Sequence, residues 1–227
     1  MKLIDVVRQL RAGELSKLSL GTQDDIINLF PHINLALTAL HTRFPLRMKS
    51  VDIQQYDHIS DYVLDRAFAQ TNDESGELYK YILDTQAAPF IEDIIKIEQV
   101  FDELGCELPL NDIVRYESVY TPNYNTIQVG RPNGDMMMSV TYRADHPKIL
   151  DSTDPNTFEV QISHSYLEPL LYFVAARVNS VMPSLDGQNT SNNFLMRYEN
   201  ACALLEQKTV LHKDEPSNMK LRDNGWV

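Results

Sequence analysis

The chain has 227 residues, 43% of them hydrophobic and 23% charged, which is typical of a soluble globular protein that can bury a core without disulfides or metals. Its 32 acidic and 20 basic residues give a net charge of −12. This charge argues against a protein that grips nucleic acid, because binding to phosphates needs a basic face, but it is compatible with a surface along which DNA slides without adhering.

The N-terminal region has the periodicity of amphipathic helices. A helix over residues 2–12 is predicted by four apolar residues at helical spacing: Leu3, Val6, Val7 and Leu10. Charged residues interrupt this run, so we do not expect a signal peptide, and no window has the length of a membrane span. Thr22 and Asp25 match the capping box of a second helix. Pro31 either kinks that helix or lies in the first turn of a new one.

From Leu46 to about residue 145 the hydrophobic period is that of β-strands. The alternation of apolar and polar residues over 46–53 changes phase once, which predicts a strand with a bulge. Residues 95–101 and 108–110 flank a turn at Leu104–Gly105 and have the pattern of a hairpin. We expect the first strand of this hairpin to place one set of side chains on the same face: Ile95, Ile97 and Phe101.

The second half of this β-rich region contains further short strands. Strands are predicted at 119–121 and 126–129, and the stretch Arg131–Gly134 is a strong turn signal. After this turn, residues 136–143 alternate as a half-buried strand does, with Met137 partly exposed. The inward-facing set is expected to be Met136, Met138, Val140 and Tyr142.

Helical periodicity returns near Ser165. Ser165 and Glu168 match a capping box, and the apolar face that follows continues until Pro183 ends the helix. We expect a turn at Asp186–Gly187 and then a final helix of about 18 residues that includes Phe194. Two helices joined by so short a loop are expected to lie antiparallel.

The order of helices, strands and helices predicts an α+β protein. We expect residues 1–44 and 162–210 to form one helical bundle, because neither helical segment alone can cover its apolar face. Residues 45–161 would then form an inserted β-rich module, and residues 211–227 an extended C-terminal tail.

No group of residues has the spacing of a catalytic, cofactor or metal site. His164 and Glu168 are four residues apart at a helix start, but a capping role already accounts for Glu168. Residues 57–61 contain a carboxylate–imidazole cluster that we interpret as a solvated polar stretch: Asp57, His58 and Asp61. The methionines at 136–138 are interpreted as strand residues. We therefore expect no enzyme activity, no cofactor and no metal.

The two cysteines, Cys106 and Cys202, provide neither a disulfide framework nor a zinc-site spacing. Thiols in a reducing compartment are the simpler interpretation. Because Cys106 lies near a hairpin turn and Cys202 on the apolar face of the last helix, we expect that they are not bonded to each other.

The stretch Leu221–Val227 contains the only tryptophan, Trp226, after a polar run over residues 212–218. Terminal segments are usually the least ordered part of a domain, whereas Trp and Arg often anchor interfaces. Trp226 therefore either folds back on its own domain or docks on a partner, and the rest of the chain favours docking. The expected contact residues are Met219, Leu221, Arg222, Trp226 and Val227.

Several stretches near the C-terminus carry a family resemblance. They are Tyr166–Arg177 with its Ala-Ala-Arg ending, the pair Asp186–Gly187, and Phe194–Ala201 with its Tyr-Glu-Asn-Ala ending. Together with Leu221–Val227 they resemble the C-terminal helices and tails of bacteriophage head-to-tail adaptor proteins, the group that includes the tail tubular protein A of short-tailed phages. The β-rich part matches only in general organisation.

The resemblance implies a structural protein of the virion that is synthesised in the host cytoplasm. Such adaptors form a ring, usually of twelve copies, beneath the portal protein of the filled head, and they receive the tail nozzle or tail tube protein on the other side. Their helical bundle forms the ring wall, and their C-terminal tail reaches the portal. DNA passes through the lumen without specific binding, and neither a cofactor nor a membrane is involved.

Other functions remain open from the residues. One is a head-completion or stopper protein of a long-tailed phage, which has the same class of role. A second is a carboxylate-dependent hydrolase whose acidic pair lies in the β-rich module, and a third is a monomeric regulatory binding module. An enzyme needs a cleft with perturbed acidic groups, whereas an adaptor needs flat faces and a protruding tail.

Overall fold

The protein is described by a computed structural model that covers residues 1–18, 22–181 and 185–213. It contains both helices and sheets, so the predicted α+β class is confirmed. The helices of this part of the chain are α1 (Leu3–Ala12), α2 (Gln23–Ile27), α3 (Phe30–Arg43), α4 (Leu167–Ser180) and α5 (Leu185–Lys213). Its strands are β1 (Met48–Gln54), β2 (Asp61–Val63), β3 (Ile82–Leu83), β4 (Ile94–Asp102), β5 (Glu107–Leu108), β6 (Val119–Asn123), β7 (Thr126–Val129) and β8 (Met137–Ala144).

The chain forms two compact units. Unit 1 consists of Met1–Ala36 and Lys148–Val227, and unit 2 consists of Leu37–Pro147. These boundaries differ from those expected at 44/45 and 161/162. The second boundary lies earlier because residues 155–160 pair with the start of α1. The Leu3 N–H donates to the Phe158 carbonyl at 3.0 Å, and the Val160 N–H donates to the Met1 carbonyl at 2.8 Å.

Helix α1 has the predicted position and apolar face. Its four inward residues are fully buried: Leu3, Val6, Val7 and Leu10. The helix ends at Gly13, whose N–H donates to the Gln9 carbonyl at 2.9 Å. An apolar stripe at this spacing favours the helix, because the helical conformation lets all four residues pack into the core together.

The region around Pro31 contains two helices and not one kinked helix. The capping box of α2 is confirmed, since Thr22 Oγ1 accepts from the Asp25 N–H at 3.2 Å and Asp25 Oδ2 accepts from the Thr22 N–H at 2.8 Å. Helix α2 ends at Ile27, and α3 begins at Phe30. Pro31 therefore lies in the first turn of α3, where its missing N–H removes no helical hydrogen bond.

Helices α4 and α5 lie antiparallel, as predicted. Tyr172 stacks on Phe194 at 6.2 Å between ring centroids, and the Phe173 and Tyr198 rings meet edge to face at 5.1 Å. Ser191 Oγ, nearer the start of α5, donates to the Ala176 carbonyl at 2.8 Å. Residues later in α4 therefore contact residues earlier in α5, which is the arrangement of two antiparallel helices.

Two details of this helical pair were predicted wrongly. The predicted cap, Ser165, does not cap the helix; Ser163 caps a short 3-10 turn that precedes α4, and Glu168 Oε1 accepts from the Tyr172 hydroxyl at 2.9 Å. The predicted turn at Asp186–Gly187 lies in the first turn of α5, which has 29 residues and not about 18. Gly187 is buried inside the first turn of α5 and does not end a helix.

Unit 2 contains two antiparallel sheets. The larger has the strand order β3-β1-β8-β4-β5, and the smaller has the order β2-β7-β6. The predicted alternation of β8 is confirmed: Met138 and Val140 are buried and Met137 is exposed. The core of this unit has fully buried members from both sheets, which include Ile53, Tyr62, Leu64, Ile82, Val100 and Ile127.

The predicted bulge lies in a different strand. Strand β1 pairs with β8 in one unbroken register from Met48 to Gln54, so the bulge expected there is wrong. The register shifts occur in β4, between Ile94 and Lys96 and between Ile97 and Gln99. Each shift changes which side chains face the core. The buried set of β4 is consequently Ile94, Ile97 and Val100, and not the predicted set of Ile95, Ile97 and Phe101.

Candidate interaction surfaces

The segment between β5 and β6 presents a loop with an ordered base. We define the β5–β6 loop as Asn111–Ser118. Asn111 adopts a positive φ of 55°, which Asn tolerates better than most residues, and its side-chain amide exchanges two hydrogen bonds of 2.9 Å with Thr121. Ser118 Oγ accepts from the Asp112 N–H and donates to the Pro109 carbonyl, both at 2.9 Å. These bonds hold the two ends of the loop together.

The tip of this loop is apolar and exposed. Ile113, Val114 and Tyr116 are 89%, 93% and 78% exposed. The tip backbone is also ordered, since the Val114 N–H donates to Asp112 Oδ1 at 2.9 Å and the Ser118 N–H donates to the Arg115 carbonyl at 3.1 Å. Neighbouring exposed apolar side chains on an ordered loop are typical of a binding surface, because water contact with them is unfavourable. This loop has no recognisable signal in the sequence, because its apolar residues have neither helical nor strand periodicity.

A second exposed apolar surface lies on α5 in unit 1. The inner face of α5 buries Tyr198 and Cys202. On the outer side Leu185, Met196 and Leu204 are 79%, 65% and 58% exposed. Leu185 and Met196 are about three turns apart, and Met196 and Leu204 are about two turns apart. The three residues therefore lie on roughly one side of the helix.

Asp93 in unit 2 is surrounded by several ionisable side chains. The Asp93 carboxylate is 10% exposed and accepts from Lys49 Nζ at 2.6 Å and from Arg47 Nη1 at 3.2 Å. The Tyr142 hydroxyl donates to its other oxygen at 3.3 Å. Burial and the adjacent Asp93 charge raise the pKa of Tyr142, so the phenol stays protonated. Both oxygens of Asp93 are therefore occupied by donors.

A second set of polar groups lies next to the first. Asp145 is adjacent to Asp93, since its N–H donates to the Asp93 carbonyl at 2.7 Å. Its carboxylate accepts from the Thr38 hydroxyl at 3.1 Å and from the His146 N–H at 2.8 Å. His41 and His146 are both buried, with 5.7 Å between their ring centroids. We define the Asp93–Asp145 cluster by the following residues: Thr38, His41, Arg47, Lys49, Asp93, Tyr142, Asp145 and His146.

His41 is buried as a neutral imidazole. Its Nδ1 contacts the Leu37 carbonyl at 2.8 Å, and a carbonyl can only accept, so Nδ1 carries the proton. Its Nε2 is buried and has no hydrogen-bond partner among the described residues. Burial, and to a smaller extent the charges of His146 and Arg47, lower the pKa of His41, while the Leu37 bond and Asp145 oppose this.

The Asp93–Asp145 cluster contains the paired carboxylates that a hydrolase in the β-rich module would need. Its geometry fits a structural role better, because two cations and a phenol occupy Asp93 while a hydroxyl and a backbone N–H occupy Asp145. A general base needs a lone pair that faces a substrate. Within the ranges that the structure describes, no group of three or more His, Cys, Asp and Glu side chains is arranged to hold a metal ion.

The carboxylate–imidazole cluster over residues 57–61 is not brought together as a site. Asp57 Oδ1 accepts from the Gly134 N–H at 2.7 Å, and Asp61 Oδ1 accepts from Gln128 Nε2 at 2.9 Å. His58 packs its ring against Tyr79 at 4.6 Å. The three side chains thus have separate partners, and the interpretation as a polar surface stretch stands.

The other residues considered from the sequence have ordinary surroundings. His164 lies in the 3-10 turn before α4 and is exposed, while Glu168 accepts from Tyr172. Cys106 is an exposed thiol in the β4–β5 hairpin, and Cys202 is a buried thiol on α5.

The predicted portal-binding tail lies outside the described residues: Met219, Leu221, Arg222, Trp226 and Val227. Comparison with protein-family models and with characterised proteins finds no match to this chain. In the described part of the chain, no helix combines the length and the apolar character needed to cross a membrane.

Proposed function

We propose that this protein is a structural virion protein that joins the portal of a phage head to the tail. In this proposal, unit 1 forms the helical bundle of the ring wall and unit 2 forms the inserted β-rich module. The tail predicted from residue 211 begins only after Lys213, where α5 ends; in this proposal residues 214–227 bind the portal, and a tail nozzle or tail tube protein binds the other side. The ring, of about twelve copies by resemblance to adaptor proteins, leaves a channel for DNA.

The observation that carries the proposal is that each unit has its own exposed apolar surface. Unit 2 has the tip of the β5–β6 loop, with Ile113 and Val114 almost fully exposed, and unit 1 has Met196 and Leu204 on α5. A subunit with two different exposed apolar surfaces can form heterologous contacts with its neighbours. Such contacts close into a ring when the rotation between subunits allows it. An enzyme would need instead an open group of catalytic side chains, and the carboxylates of the Asp93–Asp145 cluster have partners.

The charge distribution supports a channel that does not retain DNA. Residues 37–147 contain eighteen acidic and nine basic residues, so unit 2 carries −9 of the net charge of −12. A concentration of negative charge repels phosphates at close range, within about 8 Å at physiological salt. A ring of so acidic a protein would therefore let the genome pass without binding it.

The tail supports attachment to the portal. It combines an apolar set with cationic Lys220 and Arg222, and one buried tryptophan contributes on the order of 1.5–3 kcal/mol to binding. Ordering a terminal segment costs about 1–2 kcal/mol per residue, so Trp226 alone is insufficient and Met219 and Leu221 share the task. Addition of the tail as a strand to an open sheet edge would supply further hydrogen bonds.

The test is attachment to DNA-filled heads that carry the portal. Wild-type protein is expected to cosediment with the heads and to appear by electron microscopy as a ring beneath the portal. A variant that lacks residues 218–227 is expected to remain folded and to lose attachment. Before it meets the portal the wild-type protein should be a monomer or weak oligomer, because the portal supplies the effective concentration that closes a ring.

The matched control replaces Lys213, the last residue of α5, and Asp214, the residue after it, by Ala and keeps residues 218–227. This variant is expected to attach normally. Normal attachment by the truncated protein would refute the portal-binding role of the tail, and stable dodecamers of isolated protein at micromolar concentration would refute portal-dependent ring formation.

A further inference from the structure

Helix α5 presents an exposed stretch without charged side chains. The ten residues from Gly187 to Met196 contain no Asp, Glu, Lys, Arg or His, although 23% of the chain is charged. Four exposed residues follow one another at spacings of four and three, so they lie on one side of the helix: Asn189, Asn193, Met196 and Asn200. We define the α5 amide surface as these four residues together with Asn192, which is exposed one turn before Met196.

The α5 amide surface lies on a helix that is fixed from its inner side. Tyr198 and Cys202 are buried on that side, and Ser191 Oγ donates to the Ala176 carbonyl of α4 at 2.8 Å. Asn is a poor helix former, so helix stability does not account for four asparagines on the exposed side. Each asparagine amide has a donor and an acceptor, so it can bind either group of a partner's backbone and carries no charge.

The β5–β6 loop has the chemistry that fits such a surface. Ile113 and Val114 at its tip are almost fully exposed and would lose their contact with water against an apolar partner. The loop carries two carboxylates, Asp112 and Glu117, and one guanidinium, Arg115, so its net charge is −1. A segment of this charge is repelled by an acidic surface and not by an uncharged one.

The charge of the loop discriminates between the exposed apolar surfaces of unit 1. A groove of about 570 Å³ has the half-buried Ile26 and Ile27 in its lining, but the same lining contains the exposed carboxylates of Asp151 and Asp154. A loop with net negative charge would be repelled there. The α5 amide surface has an apolar side chain, Met196, between uncharged amides. It is therefore the surface of unit 1 that accepts the loop.

We infer that the β5–β6 loop of one copy packs on the α5 amide surface of a second copy. Ile113 and Val114 contact Met196 of the second copy, and Asn193 and Asn200 bind peptide groups of the loop. This contact rests on the proposed function, because it specifies the two surfaces that meet between neighbouring subunits of the ring. It is heterologous, since the two copies contribute different surfaces, and it can therefore repeat around a ring.

The contact is too small to hold two free copies together. A stable interface usually buries about 800 Å² on each partner and involves about 20–30 residues a side, whereas the loop has eight residues. Free copies should therefore associate weakly, and completion of a ring should need a template that raises their effective concentration.

Cross-linking between two single-cysteine variants tests the contact. Both variants carry Cys106→Ser, which removes the exposed native thiol, and both keep Cys202 because it is buried. One variant has Val114→Cys and the other has Met196→Cys, so a cross-link between these positions joins two copies. A mixture of equal amounts, bound to portal-bearing heads, is treated with a short bismaleimide, and covalent dimers are measured on a denaturing gel. We expect dimers from the mixture and none from either variant alone.

The matched control mixture replaces the loop cysteine by Tyr124→Cys, at another exposed position of unit 2, and is expected to give no dimers. Both mixtures are also cross-linked without heads at millimolar concentration, where a weak contact is populated. Dimers there without cosedimentation with heads would support the contact and refute the adaptor role. Cosedimentation without dimers in either setting would overturn the contact and leave the adaptor role. Dimers of one variant with itself would overturn it in favour of a two-fold contact.

A charge change at one asparagine tests the reason for the contact. Asn193→Asp, added to the Met196→Cys variant, keeps the side-chain size and places a negative charge on the α5 amide surface. The yield of dimers should fall about two- to five-fold, because the loop is also negative. Asn123→Asp, the same change at an exposed residue of unit 2, is the control and should leave the yield unchanged. Circular dichroism checks that each variant is folded, and equal yields from the two folded variants would overturn the inference.

Discussion

The Asp93–Asp145 cluster and the β5–β6 loop are two exceptions to the usual burial of apolar and exposure of charged side chains in unit 2. They are exceptions of opposite kinds. In the cluster, charged side chains are buried, but carboxylate oxygens such as those of Asp93 have donors. In the loop, apolar side chains are exposed, but the backbone that carries them is hydrogen-bonded.

The comparison separates groups that stabilise the fold from groups that are available to a partner. When a buried charge has all its partners, its effect on stability is seen mainly when one partner is removed. The native state then contains an uncompensated buried charge and is destabilised. An exposed isoleucine contributes little to folding, because it is in contact with water in both the folded and unfolded states. Substitutions in the two regions should therefore affect different measurements.

The largest expected effect on stability is that of Asp93→Ala. It leaves Arg47 and Lys49 without their carboxylate, so the free energy of unfolding should fall by about 3 kcal/mol. Urea denaturation followed by circular dichroism measures this value. The control is Asp5→Ala, which removes an exposed ion pair with Arg8 and should cost less than about 0.5 kcal/mol. Equal values for the two variants would show that the cluster is not a structural element.

The second effect depends on pH through His41. Burial lowers the pKa of His41 in the folded state below the ordinary value of 6.5, so the unfolded chain takes up a proton first as the pH falls. The stability linked to His41 is fully present above pH 6.5 and is lost progressively below it. Arg47 and His146 add to this destabilisation, whereas Asp145 opposes it.

The variant His41→Phe should reduce the loss of stability between pH 7 and pH 5, as measured by urea denaturation at each pH. His58→Gln, a substitution at an exposed histidine, is the control and should retain the wild-type dependence. The same pH dependence in wild type and His41→Phe would contradict a neutral buried imidazole at this position.

A smaller effect on the free energy of unfolding is expected at the helix caps. Thr22→Ala removes the cap of α2 and should cost about 1 kcal/mol. Ser165→Ala should cost less than about 0.5 kcal/mol, because Ser163 and not Ser165 provides the side-chain cap before α4. Thermal unfolding of both variants distinguishes the observed capping from the predicted one.

The smallest effect on stability, with the largest effect on assembly, is expected in the β5–β6 loop. The double variant Ile113→Ser with Val114→Ser should change the free energy of unfolding by less than about 0.5 kcal/mol. It should prevent ring completion on portal-bearing heads, counted by electron microscopy. Tyr124→Ser, at another exposed position of unit 2, is the control and should assemble normally. Rings of normal copy number from the loop variant would remove this loop from the interface.

The elements predicted correctly are those with strong local patterns. Helix α1 and strand β8 each contain a single hydrophobic period, and the capping box of α2 lies within four residues. The errors arose where a distant partner changes a local pattern. The bulges of β4, where it pairs with β8, shift its buried face. Gly187 lies inside α5, although a glycine after an aspartate often signals a turn.

The α+β class, the antiparallel pair α4–α5 and the net negative charge can be read from composition and from neighbours a few residues apart. The proximity of Asp93 to Asp145 and the burial of His41 beside His146 depend on the folded arrangement, since these residues lie far apart along the chain. Tertiary structure also decided that Ile113 and Val114 are exposed. An apolar side chain is buried only if the fold brings another surface against it, and local sequence does not contain that information.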